Sequence, residues 1–118
     1  MTKNIATVHQ LSLRELVDRM NLIGYSLSNP ETKVAHLFRQ DGEEVFAPSS
    51  EALDTLRDED GLLLWQDTSH SAYVCVSHGK PRIFFDGFTA DEEQSLCKAL
   101  SNLGILFTVA HEDIPFEA

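Results

Sequence analysis

Leu62-Leu-Leu-Trp-Gln66, Ala72-Tyr-Val-Cys-Val76 and Arg82-Ile-Phe-Phe-Asp86 are three short runs of large apolar residues separated by Asp67-Thr-Ser-His-Ser71 and Ser77-His-Gly-Lys-Pro81. Runs this short, rich in Val, Ile, Tyr, Phe and Trp and bounded by turn-forming residues, are strands rather than helices, and their spacing is that of an antiparallel meander. A helix is expected on either side of them. Upstream, Ser12 can cap free backbone amides while Glu15 reaches back. Leu13, Leu16, Val17, Met20 and Ile23 then follow at helical spacing, and Gly24 supplies the stop. Downstream, Thr89-Ala-Asp-Glu92 makes a second capping box, with Leu96, Cys97, Leu100 and Leu103 on one stripe and Gly104 as its end; Ile105 to Ala110 reads as another strand.

Between the first helix and the meander, Lys33 to Arg39 and Glu43 to Ala47 flank Gln40-Asp41-Gly42. Asp-Gly predicts a two-residue hairpin that sets Phe38 opposite Val45 and Arg39 opposite Glu44. Pro48-Ser49-Ser50 predicts a short helix from Glu51 to about Arg57, which ends in the acidic turn Asp58-Glu59-Asp60-Gly61. The first ten residues are assigned no element. The sum is one α+β domain over residues 1–118, with a mainly antiparallel sheet of about five to seven strands, a mixed pairing left open, and the two main helices packed on one face. Residues 111–118 are expected to form a polar tail carrying Ile114 and Phe116 as apolar anchors.

Charge is the feature that bears most on function. The chain carries 19 Asp and Glu against 9 Lys and Arg, a net charge of −10. The acids collect at turns and element ends, where their field reaches a partner. Such a surface repels nucleic acid phosphates, so direct nucleic acid binding is disfavoured, and it attracts a basic surface on another protein. With 42% hydrophobic residues, seven of them Phe, the chain has enough apolar side chains to fold in spite of its charge. The first ten residues contain no apolar h-region, and the longest apolar run, Leu62 to Trp65, is far short of a membrane span, so a cytoplasmic protein without membrane association is expected. Cys75 and Cys97, each flanked by apolar residues, are expected to be free thiols.

Motifs for catalysis or cofactor binding are sparse. His70, Cys75 and His78 have an interval that invites a zinc reading, but the two His fall in turns at opposite ends of one strand and would diverge. Asp58 to Gly61 resembles part of a calcium loop whose first ligand position would fall on Leu56, which has no oxygen to give. Asp91, Glu92 and Glu93 occupy the amino terminus of the second main helix and would repel phosphate there. Neither a metal nor another cofactor is expected.

Residues 12–49, with a capped helix, Gly24-Tyr25, a strand carrying His36-x-Phe38, an Asp-Gly hairpin and a strand ending in Pro48, resemble the first part of HicA-type toxin domains. That resemblance implies a divergent RNA-cleaving domain in which His36 inherits the histidine role. The chain departs from the pattern: Val34-Ala35 stand where Gly-Ser usually precedes the histidine, and acidity replaces the basic surface of such domains. A small-molecule-binding regulatory domain, with its pocket between sheet and helices, is the other alternative. The leading expectation is non-enzymatic: an inhibitor, immunity- or antitoxin-like protein, or adaptor that engages a basic partner through Asp54, Asp58, Glu59 and Asp60. These acids sit near a helix carboxyl end, where the dipole disfavours negative charge, so reversing Asp58, Glu59 and Asp60 to Lys is expected to keep or raise the melting temperature. Trp65, closing an apolar strand, is expected in the core.

Overall fold

The meander forms as its spacing requires, and four more strands extend it. A computed structural model describes residues 2–9, 11–77 and 79–113. Its elements in chain order are β1 (Thr2–Val8), α1 (Leu13–Leu22), β2 (Ala35–Phe38), β3 (Glu44–Ala47), α2 (Ser49–Thr55), β4 (Gly61–Trp65), β5 (Ser71–Ser77), β6 (Lys80–Asp86), α3 (Ala90–Asn102) and β7 (Phe107–Asp113). The seven strands make a single sheet in the order β3-β2-β4-β5-β6-β1-β7. Every pairing is antiparallel, which closes the mixed alternative. Among the described residues no helix is long and apolar enough to cross a membrane.

Both main helices start where their capping boxes place them. Ser12 accepts from the Glu15 amide while Glu15 reaches back, and Thr89 and Glu92 do the same at α3. Gly24 and Gly104 carry positive φ just past the two helix ends. Leu13, Leu16, Val17 and Met20 of α1 and Leu96 and Leu100 of α3 are buried in one cluster with Leu37, Leu62, Leu64, Val74, Ile83 and Phe85 of the sheet. Each such side chain contributes about 1.5–3 kcal/mol when fully buried, so this layer dominates the stability. Strand alternation sends Ile5, Tyr73, Cys75 and Phe84 to the opposite face, where they form a second, smaller buried cluster with Phe38 and Leu63 packed against it. Gly61 lets the Tyr73 ring approach, since a Cβ there would lie 2.8 Å from Tyr73 Cζ.

Five expectations are corrected. The first ten residues supply β1, an interior strand between β6 and β7, with Ile5, Ala6 and Val8 fully buried. β7 runs through Asp113, so residues 111–113 of the expected tail pair with β1 instead. Ile114 and Phe116, like His78, lie outside the described residues. The hairpin register is shifted by one: Phe38 faces Glu44, and His36 faces Phe46. Arg39 pairs through its backbone amide with the Glu43 carbonyl at 2.7 Å, leaving a three-residue turn in which Gly42 alone has positive φ. Helix α2 begins at Ser49 and ends at Thr55, with Pro48 at its amino end and no side-chain cap. Trp65 is half-buried on the face away from the helices, and its indole Nε1 finds no hydrogen-bond partner among the described residues.

Candidate functional site

The acidic turn after α2 is held by one of its own acids. Leu56 leaves the helix in an extended conformation, and the Asp60 amide donates to the Arg57 carbonyl at 3.1 Å. Asp60 Oδ2 then accepts from the Arg57 amide at 2.9 Å and takes the Arg39 guanidinium in a short ion pair. Arg39 also donates to the Thr55 carbonyl at 3.1 Å. The Asp60 side chain is 1% exposed and that of Arg39 11%. Asp60 is therefore a structural carboxylate and not part of an exposed acidic face; its Oδ1 has no partner among the described residues. Two segments far apart in sequence are latched together, the tip of the β2–β3 hairpin and the α2–β4 turn. The expectation that Lys at all three positions preserves the melting temperature is accordingly corrected at Asp60, because Lys there would set two buried cations side by side.

The other three acids take different positions. Asp58 Oδ1 lies 3.3 Å from the Leu13 amide and supplies negative charge at the amino end of α1, where the helix dipole favours it. Asp54 is exposed on α2, and Glu59 is exposed on the turn. The latch opens a polar cleft of about 570 Å³ between hairpin tip and turn, lined by Arg39, Gln40, Asp41, Glu43, Arg57, Glu59 and Asp60. With Arg39 neutralised by Asp60, the exposed charges on the rim are Asp41, Glu43 and Glu59 against Arg57. Asp41 also shapes the tip, its Oδ1 accepting from the Glu43 amide at 2.9 Å. Asp41 and Glu43 belong to this rim although neither stood among the sequence candidates; Asp54 does not line it.

His36 sits on the sheet face away from the helices. Its ring lies between Phe38 and Phe46, 4.2 Å from each centroid, and its Nε2 bonds Glu44 Oε1 at 2.8 Å. Glu44 reaches it diagonally, a consequence of the shifted register. His36, Phe38, Arg39, Gly42, Glu44, Leu63 and Tyr73 line a second depression of about 430 Å³.

His70 bridges two elements. Its Nδ1 bonds Asp67 Oδ1 and its Nε2 bonds Glu92 Oε2, each at 2.9 Å. The Asp67 hydrogen bond is the main influence raising the imidazole pKa above its ordinary value. In return, that hydrogen bond is the main influence lowering Asp67, while the Thr89 amide is the main influence lowering Glu92. Protonated His70 thus ties the β4–β5 turn to the capping residue of α3. No group of three or more His, Cys, Asp or Glu placed to hold a metal occurs among the described residues. Comparison with protein-family models, curated proteins and solved structures finds no match for this chain.

Proposed function

We propose that this chain is a protein-binding module, an inhibitor, an immunity- or antitoxin-like protein or an adaptor, whose acidic cleft between hairpin tip and α2–β4 turn engages a basic surface of another protein. One observation carries it: Asp41 and Glu43 from one turn and Glu59 from another, sixteen or more residues apart in the chain, rim the same cleft while its buried arginine is neutralised from within. Asp54 and Asp58, exposed nearby in sequence, extend the field. Like charges held together in this way have a cost that a cationic partner relieves, and they speed its encounter. A cleft of this sign repels phosphodiesters, which favours a protein partner over nucleic acid.

The test is capture from cell extract with the wild-type chain and with Glu43→Lys/Glu59→Lys, followed by measured association kinetics for the protein recovered. A basic partner whose association slows in the variant and with rising salt supports the reading. A partner bound equally fast by both proteins, with no salt dependence, overturns it.

A further inference from the structure

On the helix side of the sheet, with no lining residue shared with the acidic cleft, the carboxyl end of α1 and one side of α3 flank an open cavity of about 320 Å³. Ile23, Phe88, Leu96 and Ala99 give it apolar walls; Tyr25, Gln66, Asp91, Glu92 and Ser95 give it polar atoms, and among the described residues no Lys or Arg lines it. Gly24, at φ 95°, turns the chain out of α1 so that Tyr25 enters the core. Backbone bonds of 2.8 Å in both directions between Ser26 and Trp65 fix that entry. The rings of Tyr25 and Phe88 are nearly parallel, 16° apart, with centroids separated by 6.4 Å.

Tyr25 is the informative side chain. It is 3% exposed, yet among the described residues its hydroxyl has no hydrogen-bond partner. The hydroxyl is not one of the fully buried polar atoms left without a partner, which among the described residues are Asp60 Oδ1 and Trp65 Nε1, so it opens onto the cavity and is available to a group that enters it. Burial and then the charges of Asp67 and Glu92 push its pKa up, so it stays a neutral phenol with lone pairs to offer. Glu92 is already committed to Thr89 and His70. Asp91, exposed and one helical turn from Ser95, carries no such tie and is the carboxylate available to an entering group. The sign of the charge, the aromatic pair and the apolar walls select a cation with an organic body, since a ring face attracts a cation and a hydrocarbon wall does not reward a hydrated metal ion. At about 30 Å³ per water-sized group, the volume holds about ten heavy atoms.

We propose that this cavity binds a small organic ammonium, with its apolar body against Phe88, Leu96 and Ala99 and its N–H groups toward the Tyr25 hydroxyl, Ser95 and Asp91. The site is independent of the acidic cleft.

Phenethylammonium and its neutral isostere 2-phenylethanol, titrated separately into the folded chain, test it by NMR. The expected result is a saturable shift of the Tyr25 and Phe88 ring signals by the ammonium alone. Asp91→Asn, which leaves the α3 capping box intact, should weaken binding roughly two- to fivefold, and Tyr25→Phe should weaken it also. Glu43→Lys/Glu59→Lys should leave it unchanged. Equal binding of the alcohol, shifts that never saturate, or full affinity in both Asp91→Asn and Tyr25→Phe would each overturn the proposal.

Discussion

Asp60→Ala should be among the most damaging single substitutions in the α2–β4 turn, although the residue belongs to the acidic turn that composition places on the surface. The variant strands the Arg39 guanidinium, 11% exposed, with only the Thr55 carbonyl as a described partner, and removes the acceptor for the Arg57 amide. Breaking a buried pair by deleting one partner costs about 3–5 kcal/mol, a large part of the ~5–15 kcal/mol that holds a typical domain. At this chain length each kcal/mol moves the melting temperature by roughly 3–5 °C, so a fall of about 10–20 °C is expected. Urea denaturation is the assay, with the midpoint falling and the slope unchanged. The double variant Arg39→Met/Asp60→Leu removes both charges and should recover most of the loss, because apolar replacement of a buried pair is often close to neutral. Glu59→Lys, exposed and one residue away, should stay within about 0.5 kcal/mol of the parent. A cost below about 1 kcal/mol for Asp60→Ala, or a double variant as unstable as the single one, would refute the latch.

Stability should follow pH through His70. Its raised pKa means that its contribution is complete below the ordinary 6.5 and is lost as pH rises through the folded value, whereas Asp67 and Glu92, lowered, contribute above their ordinary 3.8 and 4.5 and lose this as pH falls through their folded values. His70→Gln should therefore flatten the alkaline decline in urea midpoints, and an identical decline in the variant would show that His70 is not its source. Gly87→Ala should destabilise by more than about 1 kcal/mol, because Gly87 has φ 82° and a Cβ there would strike the Ser69 carbonyl; thermal melts check this. Thiol titration of the unfolded chain without reductant should count two free thiols, and in the native chain Cys97, its pKa raised by burial and then by Glu93, should react slowly at neutral pH. His36→Ala should lower stability by about 1–2 kcal/mol through the lost ring contacts and the Glu44 bond. Cleavage of RNA by the parent, abolished in a folded His36→Ala chain, would instead establish the RNA-cleaving alternative.

What lay within a few residues in sequence was legible. Ser12 with Glu15 and Thr89 with Glu92 define two helix starts through hydrogen bonds three residues long, and the meander is bounded by turns that contain the residues turns need. β1 was not legible, because Thr2-Lys-Asn-Ile-Ala-Thr-Val8 has neither clean alternation nor a hairpin partner next to it in the chain. Its strand character comes from partners at the far end of the sequence, β6 and β7, which satisfy its backbone on both sides. The carboxyl end of β7 has the same origin: Glu112 and Asp113 extend as a strand because Lys3 and Thr2 lie opposite them.

The candidate site turned on a single residue of register. Asp41-Gly42 does announce a hairpin, but a two-residue type I′ turn needs positive φ at both positions, and only Gly42 has it. The resulting three-residue turn moves every β2 residue by one against β3. That shift takes Arg39 away from Glu44, which becomes the partner of His36, while the arginine becomes the partner of Asp60. With Asp60 paired to Arg39, the exposed negative charge of the cleft lies on Glu59 and on the hairpin tip, Asp41 and Glu43. Charge counting marked this turn and could not apportion its acids, because which carboxylate is used by the fold depends on where a distant arginine points.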